Sequence, residues 1–219
     1  MLQLLHQNLQ QARQYMAPQV NLNQMDLKLK EGFSLYLLQP HSHVSIASHL
    51  LPLAEAGQKR WYWVAKTLAE KAAWEYAQEN GINLVILHPG FVIGPLLQPT
   101  LNTSSQLILN VLSGSQDFRD YQFVDVRDVA SAHILAFENP SATGRYILVG
   151  TSITHSHLQH ILHELYPSLN LPTIGERNPT FQVSKKKAES LGIKFMPLEV
   201  SLKDTVESLM QKNFFKLPK

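Results

Sequence analysis

The clearest pattern in the chain begins at Trp61. From there to Asn80 apolar side chains recur at Val64, Leu68, Ala72 and Tyr76, and Gly81 follows. That period lays one apolar stripe along a helix, and a glycine just past it is a usual stop. Leu84-Val85-Ile86-Leu87 is unbroken apolar, as in a strand covered on both faces in a parallel sheet. Helix, glycine and strand in this order make half of a right-handed βαβ unit. Pro89-Gly90-Phe91-Val92-Ile93-Gly94-Pro95 then reads as a loop at the carboxyl end of the strand, the edge where open α/β sheets take their ligands.

Further on, Phe123-Val124-Asp125-Val126 alternates like a short strand, and Arg127-Asp128-Val129-Ala130 opens a helix with Asp128 as N-cap or first-turn acid. Gly144 to Val149 reads as the next strand, and a helix begins near Ser156. Ser184 to Leu191 is predicted helical with a stop at Gly192. Lys194 to Leu198 is extended, and a last helix runs from Ser201 to Lys212. Ser201 with Asp204 has the spacing of a capping box, with Asp in place of Glu. Ahead of Trp61 the pattern weakens. Residues 1–16 could form a short amphipathic helix ended by Pro18. Residues 17–60, with Pro18, Pro40 and Pro52, are expected to be mostly irregular apart from a short strand at Val44–Ser48.

Composition narrows the function classes. A length of 219 residues suffices for a real core, and a net charge of +2 with no basic stripe argues against nucleic acid. Lys185-Lys186-Lys187 reads as a solvated helix face. The absence of cysteine removes disulfides, thiolate metal sites and a cysteine nucleophile. No apolar run approaches a membrane span and no secretory signal opens the chain, so a cytoplasmic location is expected. Two decoys read as structural. Asp125 and Asp128 could pair for acid–base work, but a cap is the better reading. His155, His157, His160 and His163 lack the carboxylate motif that would make zinc the better reading of a histidine-bearing helix.

Candidate chemistry lies in Trp61-Tyr62-Trp63-Val64-Ala65-Lys66. A helix lines up positions i and i+4, so Tyr62 and Lys66 share a face. A phenol with a pKa of about 10 is a poor acid near neutrality, and an ammonium beside it lowers that value. The pair can then pass a proton to or from a carbonyl or alcohol oxygen while a cofactor exchanges hydride.

Three stretches carry a wider likeness: Trp61 to Ser105, Phe123 to Gly150, and Phe181 to Leu209. In order and spacing they resemble the extended short-chain dehydrogenase/reductases, in the plant branch that holds cinnamoyl-CoA reductase, dihydroflavonol reductase and phenylacetaldehyde reductase. The resemblance implies an α/β fold, the C-terminal half of a Rossmann-type extended reductase with its substrate lobe. The N-terminal glycine-rich half is missing: no G-x-x-G-x-x-[GA] run occurs, and before Gly57 the only glycine is Gly32. Residues 1–60 are thus expected to be an unrecognised leader and residues 61–219 the reductase-like region.

The same resemblance implies NADP as cofactor and an aromatic aldehyde, CoA thioester or ketone as substrate. Tyr62 would be the proton donor, and Lys66 would hold the nicotinamide ribose. Pro89, Gly90, Phe91 and Val92 would run under the nicotinamide, and Ser104 would approach the diphosphate. The family's catalytic hydroxyl has only Ser42, Ser45 and Ser48 as upstream candidates, Ser48 in the best local setting, and loop serines are the better reading of all three. His88, where many relatives have asparagine, receives no role. The alternative expectation is a truncated, non-catalytic product that keeps the substrate lobe and lacks the phosphate site.

Overall fold

The structure is a computed structural model that describes residues 34–37, 61–115, 120–172, 175, 179 and 181–218, with backbone alone for 34–37, 61–66 and 68. In chain order the elements are β1 (Ser34–Leu37), α1 (Trp61–Glu79), β2 (Leu84–Pro89), β3 (Phe91–Ile93), α2 (Thr103–Leu112) and β4 (Asp120–Asp125). They are followed by α3 (Val126–Glu138), β5 (Gly144–Leu148), β6 (Thr151–Thr154), α4 (His155–Leu165), α5 (Lys186–Glu189) and α6 (Leu198–Gln211).

Two three-stranded sheets organise them. The first has the order β1-β2-β5 and is parallel throughout, with Ser34 opposite Leu84 and Val85 opposite Gly144. The second has the order β3-β4-β6, with β3 parallel and β6 antiparallel to β4. The apolar run of β2 explains the first sheet. Leu84 and Ile86 pack with Ala73, Trp74 and Ala77 of α1. Val85 and Leu87 pack on the other side with Val129, Ala132 and Ala136 of α3 and Ala188 of α5. Both faces are dry, so no polar alternation appears in the sequence. A larger core lies over the second sheet, where Phe91, Tyr121, Phe123 and Ile153 meet Ile108 of α2, Leu158 and Leu162 of α4, and Leu202, Val206 and Leu209 of α6.

Gly90 joins the two sheets and can only be glycine. Its N–H donates to the Leu148 carbonyl at 3.0 Å, and a Cβ there would come within 2.2 Å of the Gln122 carbonyl oxygen. Backbone on both sides leaves nothing flexible to yield.

Several expectations need correction. Within residues 17–60 a strand of the first sheet lies at Ser34–Leu37, which was not foreseen; residues 1–16 and Val44–Ser48 lie outside the described residues. The Pro89–Pro95 loop contains β3, drawn into a parallel ladder by β4. Strand β6 lacked enough apolar positions to be foreseen. Of the two places expected for Asp128 it takes the first turn of α3, where it accepts from the Met196 N–H at 2.9 Å, and the cap is Asp125, whose Oδ1 accepts from the Arg127 N–H at 2.8 Å. Helix α5 is one turn rather than Ser184–Leu191. Helix α6 starts at Leu198 directly after Pro197, so Ser201 lies inside it with its hydroxyl turned back to the Pro197 carbonyl, and no capping box forms.

Replacement Gly90→Ala should therefore destabilise the protein by about 3 kcal/mol, the scale of an overpacked site that cannot relax. Urea unfolding of the variant checks this. A loss below about 1 kcal/mol would show that β4 shifts freely away from Gly90.

Candidate active site

Of the sequence-predicted residues, Pro89 to Val92 occupy the carboxyl end of β2 and the step from β2 to β3. Pro89 closes β2 with a buried side chain, Phe91 is buried in the larger core, and Gly90 and Val92 are half-buried between them. Beyond β3 the chain is pinned by the C-terminal helix. The Gly94 N–H donates to Thr205 Oγ1 at 2.7 Å and the Leu96 N–H to Ser208 Oγ at 2.8 Å, both buried. Thr205 in turn donates to the Ser201 carbonyl at 2.6 Å. Ser201, Thr205 and Ser208 follow an i, i+4, i+7 spacing, a hydroxyl stripe visible in the sequence but not singled out there.

Charge pins the same region. Arg127 donates to both Asp125 oxygens, at 2.7 and 2.8 Å, and to Asp204 of α6 at 2.8 Å. Burial works against the Asp125 carboxylate, but hydrogen bonds from Arg127 and Ser201 outweigh it and lower its pKa. The Arg127 guanidinium is held well above its ordinary value by Asp125. Burial raises the Asp128 pKa, only partly offset by the Met196 N–H. Asp125 and Asp128 are thus committed to structural partners.

Tyr62 and Lys66 lie in the first turns of α1, and for them only the backbone is described. Their stripe continues, four residues at a time, to Glu70 and Trp74. Glu70 is a junction. Its side chain is 13 % exposed, its Oε1 accepts from Trp74 Nε1 at 3.1 Å and from Arg145 Nε of β5, and its Oε2 lies 3.5 Å from His88 Nε2 of β2. The Arg145 guanidinium lies over the Trp74 ring, 5.5 Å from its centroid. Burial opposes the Glu70 charge, but hydrogen bonds from Arg145 and Trp74 and the His88 charge outweigh it, so its pKa falls. Burial lowers the His88 pKa and Glu70 only partly restores it.

This junction sets levels along the sheet. Ala77 packs by Leu84 and Ile86 while Glu70 meets His88, so α1 climbs toward its N-terminus as β2 climbs toward its carboxyl end. At 1.5 Å per residue the Lys66 and Tyr62 backbones stand about 6 and about 12 Å above Glu70. At about 3.3 Å per residue, Pro89, the last residue of β2, stands about 3 Å above His88, toward the level of Lys66.

Ser104 is the second residue of α2, buried in its first turn behind the cap that Asn102 makes with the Ser105 N–H at 2.8 Å. Ser42, Ser45 and Ser48 lie outside the described residues. The histidines are dispersed: His155 Nδ1 meets the Tyr121 hydroxyl at 2.9 Å, His160 faces Glu164, and His163 faces the Leu169 carbonyl. Among the described residues no group of three or more His, Asp or Glu is placed to hold a metal ion. No described helix is long and apolar enough to cross a membrane.

Residues 47–150 match the NAD dependent epimerase/dehydratase family. Cinnamoyl-CoA reductase CAD2 of Medicago truncatula is 54% identical over 163 residues, covering 72% of this chain and 50% of the relative. Cinnamoyl-CoA reductase 1 of Arabidopsis thaliana is 43% identical, covering 70% of this chain and 47% of its own length. These residues belong to the NAD dependent epimerase/dehydratase family. Among solved structures, Gre2 of Candida albicans with NADPH is 31% identical with a TM-score of 0.64, covering 74% of this chain and 55% of that one. Vestitone reductase from alfalfa shares the fold at 23% identity and a TM-score of 0.68, over 84% of this chain and 66% of its own. The chain thus has the α/β, Rossmann-type fold of the extended reductases and spans about half the length of the curated relatives it matches. The match begins at residue 47 and the first strand at Ser34, both inside the stretch expected to be unlike the family.

Acid should loosen this region in two stages. His88 and His133 both have folded pKa values below 6.5. The unfolded chain therefore takes up protons first, and stability falls as pH drops below about 6.5 through the folded values. The contributions of Glu70 and Asp125, complete above 4.5 and 3.8, are lost as pH falls through their lower folded values. Asp128, raised by burial, offsets part of the second decline. Urea midpoints across this range check the order, and His88→Gln should make the first decline shallower. A first decline of unchanged depth in that variant would remove His88 from the account.

Proposed function

We propose that the protein carrying this chain is an NADP-dependent reductase of an aromatic aldehyde, CoA thioester or ketone. The observation that supports it most is the stripe of α1. Glu70 is fastened to the penultimate residue of β2, which supports a reading in which the first turns of α1, with Tyr62 and Lys66, run past the carboxyl end of β2. NADPH bound there supplies the hydride. Tyr62 protonates the oxygen that becomes the alcohol as the carbonyl carbon is reduced. Lys66 keeps the Tyr62 phenol acidic and donates to the ribose hydroxyls. Pro89, Gly90, Phe91 and Val92 give the nicotinamide an apolar edge, and Ser104 stands on the diphosphate side. The printed names of the relatives, cinnamoyl-CoA reductases and a reductase solved with NADPH, support the same substrate and cofactor classes.

The residues present suit the nicotinamide end of such a cofactor and not its pyrophosphate end. The usual anchor is a glycine-rich turn leading into a helix N-terminus, and the 219 residues contain no such turn. Each charge-assisted hydrogen bond of that anchor contributes roughly 1.5–3 kcal/mol. Losing two or three weakens binding by roughly 10²–10⁶-fold, at 1.4 kcal/mol per tenfold. This supports a second reading, in which the chain by itself is a non-catalytic lobe.

A calorimetric titration of the purified chain with NADPH should show no saturable binding at micromolar cofactor, and tight binding would refute that second reading. Joined to the glycine-rich half of a cinnamoyl-CoA reductase, the chain should reduce aromatic carbonyls with NADPH. In that form Tyr62→Phe should cost about 10²–10⁴-fold in turnover, the scale of a missing general acid. Turnover within about threefold of the parent would remove Tyr62 from the chemistry.

A further inference from the structure

The exposed rim of α1 carries an ordinary pair, Lys71 with Glu75, whose side chains are 71% and 60% exposed and 3.7 Å apart. Glu70, on the sheet-facing side, is different in kind. Its carboxylate is largely enclosed and touches three elements: Trp74 on its own helix, His88 on the central strand and Arg145 on the neighbouring strand. Among the described residues, His88 and Arg145 are the titratable or charged groups that meet it from other elements. Apolar contacts between α1 and β2 run through Ala73, Trp74 and Ala77, small or flat surfaces that resist sliding weakly. A carboxylate held by a directed hydrogen bond from one strand, a ring N–H of its own helix and the His88 imidazole 3.5 Å away on a second strand fixes the axial position that such contacts leave loose.

We propose that Glu70 is a positioning residue for the Tyr62–Lys66 pair: by holding Arg145 and His88 it fixes the height of α1 along β2, and with it which turn of the helix faces Pro89 to Val92. The inference rests on the reading of Tyr62 and Lys66 as the donor pair. Glu70 touches neither cofactor nor substrate in it. Its effect reaches the chemistry only through the helix it anchors. Arg145 is the complementary half of the anchor, and its Nε presents a donor that a lysine ammonium at the same position does not reproduce.

The test uses the complete 219-residue chain and needs no cofactor. The ionisation of Tyr62 is read by ultraviolet phenolate absorbance as the difference between each protein and its Tyr62→Phe counterpart, since the chain has seven tyrosines. With Lys66 beside it, Tyr62 should ionise below about 10. Replacement Glu70→Met should raise that value by about half a unit or more, because the unanchored first turns of α1 fray and no longer hold Lys66 one turn from Tyr62. Through-space loss of a negative charge acts in the opposite direction, so the sign separates positioning from simple electrostatics.

Arg145→Lys, at a side chain 60% exposed and with the charge retained, should also raise it and guards against a Glu70 variant that fails to fold. Glu75→Gln, which removes an equal charge from the same helix, should leave it unchanged. A low value in the parent that falls or stays fixed in Glu70→Met and stays fixed in Arg145→Lys overturns the positioning role. A parent value at or above about 10 overturns the donor reading itself.

Discussion

The described fold depends on one strand buried on both faces. Leu84 to Leu87 are at most 4% exposed, with Leu84 and Ile86 turned to α1 and Val85 and Leu87 to α3 and α5. Every other feature of the first sheet is arranged around that condition. A parallel strand on each side satisfies its backbone, and helices on both faces exclude water from its side chains. Full burial of each such side chain is worth roughly 1.5–3 kcal/mol. An apolar run of four therefore outweighs the weak local preferences of short neighbours such as Ser34–Leu37, and draws that segment into the ladder despite an uninformative sequence.

The strand's second consequence is positional. Once β2 is fixed, Pro89 and Gly90 must leave the sheet at one point, and Gly90 is the only residue type that passes between the Leu148 and Gln122 backbones. The chain then enters β3 in a second sheet whose core is built by α2, α4 and α6. Contacts 111 and 112 residues apart in sequence, Gly94 with Thr205 and Leu96 with Ser208, tie the exit of β3 to the last helix. The segment from Pro89 to Leu96 is thus held at one end by the central strand and at the other by the C-terminal helix.

Charged groups divide into two sets with different tasks. Asp125, Arg127 and Asp204 bind α6 to the β4–α3 corner. Glu70, His88 and Arg145 bind α1 to the first sheet. Neither set reads as acid–base machinery, because Asp125 and Glu70 are each engaged by a cation and by hydrogen bonds that stabilise the ionised form, and Asp204 is paired with Arg127. Their partial burial makes them matter more than surface pairs such as Lys71 with Glu75, which are worth a few tenths of a kcal/mol at most.

Local pattern alone was enough for the long or strongly marked elements. Helix α1 as an element, the unbroken run of β2 and the glycine stop at Gly81, with φ +64°, were legible, but the apolar stripe read on α1 is not its packed face: Ala72 and Tyr76 are exposed, and Ala73, Trp74 and Ala77 meet the sheet instead. The place of Tyr62 and Lys66 one turn apart on α1 and the carboxyl end of β2 at Pro89 are local properties and follow from the same pattern. Strands β1, β3 and β6 were not legible. Each has three or four residues, and only a neighbour supplied from elsewhere in the chain makes it a strand. Helix α5 has no side-chain cap and α6 starts directly after Pro197, so capping residues do not mark these ends in the sequence. Glu70 could be placed on the stripe of Tyr62 and Lys66 by counting, but its partners could not. His88 and Arg145 lie 18 and 75 residues away, and only the packing of α1 across two parallel strands brings an imidazole and a guanidinium to the same carboxylate.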